Sequence, residues 1–235
     1  MKNIMIATFT LGLVGAGSAS AMEVTGGSVK LSYSAFVDDT SVSKLGLEGS
    51  IEFGFNQNFA LQADLAHQSL NETDIDSNAF GLHGIYHLDD ATSFGAFYVR
   101  EDIESVDVDI IGIEGGYETG LLEFEGYLGK ADVEDEDVTL FGISARYELA
   151  NEVGLTGSFD LADQGLIEVS RFGLKLDRDV SANLNLFVEV GSAELDIAGF
   201  SDDELFVGIG GKISFGADRG ATFEQRGLAR LLPGL

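Results

Sequence analysis

From Ser28 to Phe215, large apolar residues recur mostly at every second position, with polar or small residues between them. The clearest case runs from Leu45 to His67. Leu45, Leu47, Ile51, Phe53 and Phe55 precede Asn56-Gln57-Asn58, and Phe59, Leu61, Ala63 and Leu65 follow it. A period of two puts those side chains on one face of an extended strand, and the Asn-rich break reads as a hairpin turn. The same rhythm predicts twelve strands, near 28–36, 45–55, 59–67, 79–88, 93–100, 109–118, 121–130, 138–149, 152–161, 166–176, 183–191 and 204–215. Two of them resist a single phase. The fifth carries an aromatic residue on both faces. In the tenth, Ile167 and Val169 share one face while Phe172, Leu174 and Leu176 share the other, which a bulge near Ser170-Arg171 would reconcile.

The connections follow a second pattern. Most odd-to-even links look long and acidic (VDDTSVSK, QSLNETDIDSN, EDIESVD, ADVEDED, AELDIAGFSDD), with ADQG short. Most even-to-odd links look tight (NQN, DDAT, ETG, ANE), with DRDVSA longer. Aromatics flank the tight turns on the apolar face: Phe55, Phe59, Tyr86, Phe94, Tyr117, Phe124, Tyr147 and Phe215. Long loops at one end, tight turns at the other and a ring of Phe/Tyr beside the turns suit a barrel that crosses a bilayer. Alternation alone does not say which face points inward, because in a soluble barrel or sandwich the apolar face is the core. Strands of about 9–11 residues match a tilted bilayer crossing, whereas soluble strands cluster near 5–6. The Gly/Ser-rich polar face (Gly46, Ser50, Gly142, Ser144, Gly208, Gly210) suits a confined interior. The expected fold is therefore an all-β, antiparallel, up-and-down transmembrane barrel of about twelve strands over 22–216. A soluble secreted β-domain, which would purify without detergent, is the rival.

The remaining sequence refines this. Residues 1–21, with one lysine, a short apolar core and Ala19-Ser20-Ala21, read as a signal peptide. Elsewhere no uninterrupted apolar run is long enough for a membrane helix. There are no cysteines, and the only proline is Pro233, after the last strand, so no ladder loses a donor. The net charge is −27, from 40 Asp/Glu against 13 Lys/Arg. That argues against nucleic-acid partners, which need clustered cations.

The stretches GIEGGYETGLLEFEGYLG (Gly112–Gly129) and FGISARYELANEVGLTGSFDLADQG (Phe141–Gly165) repeat a rhythm of strand, aromatic, tight turn, strand. In this the chain resembles the porin-like outer-membrane β-barrel proteins of Gram-negative bacteria. The resemblance implies an outer-membrane location, assembly by the barrel-assembly machinery, contact with lipid and lipopolysaccharide, and passive passage of small polar solutes or cations. It implies no catalytic residue, cofactor or metal. The chain departs from the family in looking short for sixteen strands, in its tail beyond Phe215, and in lacking a loop long enough to fold inward as a constriction.

With apolar residues facing lipid, the expected pore lining is Lys30, Glu48, Glu52, Asp64, Glu123, Glu125, Arg146, Glu148, Asp160, Lys175, Glu189 and Lys212. Twelve strands fall between barrels filled by side chains and those with open channels, so a narrow pore is expected. Its excess of acids favours cations. The alternative is a non-conducting structural or adhesive barrel whose luminal charges only pair with one another. Asp132–Asp137 is read as a solvated acidic loop, with divalent bridging to lipopolysaccharide as the sharper reading. His83 and His87 share a strand face, and His67 falls on the lipid side, but no serine motif accompanies it. Residues 217–235, with Arg219, Arg226 and Arg230, are expected to form a periplasmic tail; folding back as a plug against luminal acids is the alternative.

Overall fold

The computed structural model describes residues 22–71, 75–133, 136–216 and 221–231, so the signal-peptide stretch and part of Asp132–Asp137 lie outside the described residues. Twelve strands run β1 (Glu23–Phe36), β2 (Ser43–Gly54), β3 (Phe59–Leu70), β4 (Asp76–His87), β5 (Thr92–Ile103), β6 (Val106–Thr119), β7 (Leu122–Val133), β8 (Glu136–Leu149), β9 (Val153–Asp163), β10 (Ile167–Ser181), β11 (Leu184–Ile197) and β12 (Phe200–Gly216). Each pairs antiparallel with its sequence neighbours, and β1 closes on β12 from Gly26↔Gly216 to Phe36↔Phe206. Closure leaves no sheet edge and satisfies the backbone within the ladder, the condition for a chain that crosses hydrocarbon.

Alternation resolves into outside and inside. Ile113 (63% accessible), Ile143 (52%) and Val188 (50%) stand on the outer surface, as do Leu47, Leu128 and Leu186. Glu52, Gln62, His83 and Glu101 are at most 1% accessible, inside the barrel. A soluble barrel would show the reverse. All eight aromatics expected beside the tight turns are exposed on the outer face, at the end where both β1 begins and β12 finishes. This is the level at which amphipathic rings suit a headgroup boundary.

Three expectations are corrected. First, the odd-to-even links are not long. Only Glu104-Ser105 join β5 to β6, and Ala198-Gly199 join β11 to β12, all four with positive φ as two-residue hairpin turns require. The acidic stretches read as loops are mostly strand, because backbone pairing continues past the point where apolar residues end. Strands accordingly run from 11 residues in β9 to 17 in β12. Second, β10 pairs without interruption through Ser170 and Arg171, and its irregularity lies at Asp179/Ser181. The apparent phase slip arises because Val169 points inward, against an internal apolar cluster that includes Phe97, Val99, Val108, Ile110 and Leu140. The fifth strand is double-faced for the same reason: Phe94 and Tyr98 face out while Phe97 and Val99 face in. Third, the described part of the tail, 221–231, is not outside the barrel. It lies within it, with Phe223, Gln225, Arg226, Ala229 and Leu231 all buried.

Four inward aromatics lie across a glycine of the neighbouring strand: Phe97 on Gly112, Tyr127 on Gly142, Phe187 on Gly210 and Phe206 on Gly191. A Cβ at Gly142 would collide with the Tyr127 ring and come within 2.6 Å of Asp160 Oδ1. Gly142→Val is thus expected to destabilise the barrel by about 1–3 kcal/mol through overpacking. The readout is the temperature at which the compact gel band converts to the unfolded one, which should fall relative to wild type.

Candidate functional site

The lumen is a tube of charged side chains because strand alternation points every second residue inward, and lipid excludes charges from the other face. The tail divides it. Entering at the end that carries β1's start, 221–231 follows the wall of β2–β7 toward the far end. Glu52 on β2 accepts hydrogen bonds from the Thr222 backbone N–H (2.9 Å) and hydroxyl (2.6 Å). Gln62 on β3 pairs with both backbone groups of Phe223, donating to its carbonyl at 2.8 Å and accepting from its N–H at 3.1 Å. Farther along, Arg226 bonds Glu114 on β6 (2.9 Å) and Glu125 on β7 (2.6 Å). Its guanidinium sits 4.4 Å from the centre of the Tyr127 ring. Beyond it, Glu101 on β5 accepts from the Leu228 and Ala229 backbone, and Lys44 donates to the Ala229 carbonyl at 2.7 Å. Leu231 ends in the internal apolar cluster.

Behind Arg226, His83 is fully buried between two carboxylates. Its Nδ1 lies 2.6 Å from Glu114, and its Nε2 lies 2.9 Å from Asp64 without the directional geometry of a hydrogen bond. Phe223 stacks on its ring at 6.4 Å. The tail is therefore held by charge, by backbone recognition and by apolar contact at once.

What the tail leaves free is a cavity of about 310 Å³, bounded chiefly by β6–β12, β1, β2 and the tail itself. Eight of the twelve expected lining residues meet there: Lys30, Glu48, Glu123, Glu125, Arg146, Lys175, Glu189 and Lys212. Glu52, Asp64 and Asp160 also point inward but are buried against neighbours, Glu52 on Thr222, Asp64 beside Gln62 and His83, and Asp160 on the Tyr127 hydroxyl at 3.0 Å. Glu148 is half-buried near the end of β8, away from the cavity.

The cavity also contains bases that the sequence reading left out, Lys44, Arg171 and Arg230. Across the wall, charges pair between strands: Lys30–Glu48 at 3.1 Å, Arg146–Asp177 at 2.9 Å and Arg171–Glu189 at 2.6 Å. Lys175 differs. Its ammonium stands over the Phe187 ring at 5.7 Å, and among the described residues no carboxylate lies within ion-pair distance. Glu101, Glu114 and Asp177 were also missed; the inward phase of Glu114 and Asp177 was readable from Gly112 and Lys175 on the same strands, while Glu101 lies on β5, whose two aromatic faces hid its phase. Of the other histidines, His67 sits on the outer face with Nδ1 3.0 Å from Asn78, and His87 lies 2.8 Å from the Ser93 hydroxyl.

Among curated proteins, no sequence matches closely enough to be called a relative. Solved structures match the fold. The KdgM porin superposes with TM-score 0.61 at 12% identity, covering 80% of this chain and 99% of its own. The same porin in complex with disordered oligogalacturonate gives 0.60 at 12%, with the same coverage. The NanC porin gives 0.62 at 11%, over 82% of this chain and 99% of its own. At such identities these likenesses concern the barrel alone. The family profile described as Gram-negative porin, however, matches residues 5–198, most of the sequence that builds the barrel. An outward apolar surface, an inward charged lumen and that match lead to one conclusion: this chain belongs to the Gram-negative porin family and is an outer-membrane β-barrel channel for small solutes.

Proposed function

We propose that the chain is a narrow channel, with its own tail as the constriction and a cation preference that arises at the rim rather than inside. The observation that carries this reading is the lumen shared between the tail and a charged cavity of about 310 Å³. That volume lies at the low end of ordinary ligand pockets, so it suits single small polar solutes better than long chains. The sequence-based expectation of cation preference rested on an excess of luminal acids. Several of those acids hold the tail, and among the described residues the cavity is lined by seven bases and six acids: Lys30, Lys44, Arg146, Arg171, Lys175, Lys212 and Arg230 against Glu48, Glu118, Glu123, Glu125, Glu189 and Glu224. The passage itself is thus close to neutral.

The far rim is not. Asp38, Asp39, Asp102, Asp107, Asp109, Asp137, Asp202 and Asp203 are all exposed there. We place this rim outside the cell: links are short at both ends, but here the strands run on past the apolar belt, which gives the taller, extracellular side of such barrels. Exposed charges act through solvent, with a screening length of about 10 Å at 0.1 M salt and about 3 Å at 1 M. Reversal potentials in planar bilayers should show cation preference at 0.1 M KCl that is largely lost at 1 M. A preference unchanged by salt would locate selectivity inside the lumen. Absence of any conductance from folded protein would favour the structural or adhesive barrel. Basic groups in the passage, Lys175 above all, also admit small acidic solutes. The oligogalacturonate complex of the KdgM porin makes uronic acids a rational first series for liposome swelling.

A further inference from the structure

Residues 221–231 meet the wall as a bound peptide meets a receptor. The wall reads backbone: the N–H groups of Thr222, Phe223, Glu224, Leu228 and Ala229 all donate to barrel side chains. It also offers a pocket for one side-chain chemistry. Glu114 and Glu125 grip the Arg226 fork, while the Tyr127 and Phe97 rings stand 4.4 and 5.9 Å from it. A planar guanidinium satisfies both carboxylates and the aromatic faces together, whereas a lysine ammonium has no plane to stack. Three residues before the arginine, Phe223 stacks on buried His83. No ladder hydrogen bond of the closed barrel depends on this segment.

We propose that the inner wall of β2–β7 is a peptide-binding site for an extended segment bearing an aromatic residue and, three positions later, an arginine, and that 221–231 is its tethered occupant. The tether supplies an effective concentration on the order of millimolar, so the site binds the same segment non-covalently with finite affinity. The inference rests on the fold and not on conduction, and its test reads binding.

The test uses the full chain with a protease site, flanked by Gly/Ser residues, inserted between Gly216 and Ala221. The protein is folded whole and then cut. On size-exclusion chromatography in detergent, the released segment is expected to co-elute with the barrel and to exchange with synthetic peptide 221–231. The Arg226→Lys segment should bind more than about ten-fold more weakly. In the uncut chain, Arg226→Lys should speed hydrogen exchange at the amides of 222–229. A wild-type segment that elutes alone and does not rebind would overturn the proposal. So would an Arg226→Lys segment retained as well as wild type, or unchanged exchange in the uncut variant. A barrel that conducts nothing would leave these readouts intact, which keeps the two readings separable.

Discussion

A barrel carrying Glu114→Ala is expected to show a several-fold larger single-channel conductance than wild type in the same lipid. Glu114 is fully buried and bonds both His83 and Arg226. Removing one partner of a buried ion pair leaves a desolvated charge behind and typically costs about 3–5 kcal/mol. The barrel does not need to absorb that cost, because the tail can leave. Its docking is supported by more than a dozen hydrogen bonds to the wall, each worth about 0.5–1.5 kcal/mol net and more to charged groups, and by the burial of Phe223 and Leu231, set against ordering costs of about 1–2 kcal/mol for each residue of the segment, so the two sides are of similar size. Losing the central one should tip the balance toward release. His83 keeps Asp64 at 2.9 Å, so the wall behind the tail retains its own charge partner. The double variant Glu114→Ala/Arg226→Ala should conduct at least as much as Glu114→Ala alone, since Arg226→Ala also removes the bond to Glu125 and the contact with the Tyr127 ring. Currents identical to wild type in both variants would show that the tail does not limit flow.

The second large effect concerns the other face. Ile113 lies midway along β6, 63% accessible on the outer surface, paired with Leu128 and Ala96. Ile113→Arg is expected to destabilise the folded protein in vesicles by about 2–4 kcal/mol, the cost of an arginine near the middle of the hydrocarbon layer. Glu114→Arg, one position along, would face inward and pay a different cost, so the pair checks the assignment of sides residue by residue. Equilibrium unfolding in denaturant from lipid vesicles measures it. An Ile113→Arg barrel as stable as wild type would mean that this face does not meet acyl chains.

Much of the barrel was legible because a membrane-spanning strand has one strong requirement, an apolar residue at every second position. That requirement marked twelve strands and the eight interfacial aromatics. It failed where the requirement lapses. Past the bilayer, Asp107, Asp202 and Asp203 remain in the ladder although the acidic stretches around them lack the outward apolar alternation, so the strand ends looked like loops. Inside the barrel, Phe97, Val99, Ile110 and Val169 break the simple opposition of greasy outside and polar inside, because the end of the tail gives them an apolar partner. The tail itself was the hardest part. Phe223, Arg226 and Leu231 carry no periodicity, and the wall residues that hold the tail, Glu52, Gln62, Glu101 and Glu114, lie on four different strands. Only the pairing of scarce arginines with abundant luminal acids hinted at it.

Because the links at both ends are so short, the cylinder has little slack of its own with which to change bore. If the stretch 221–231 is the constriction, as proposed, then it is the adjustable component, and it contributes nothing to closing the wall. Related proteins could therefore widen or restrict what they admit by altering this one stretch, while the scaffold that must insert and zip shut stays under separate constraint. On that reading, permeability and assembly are inherited on different parts of the chain.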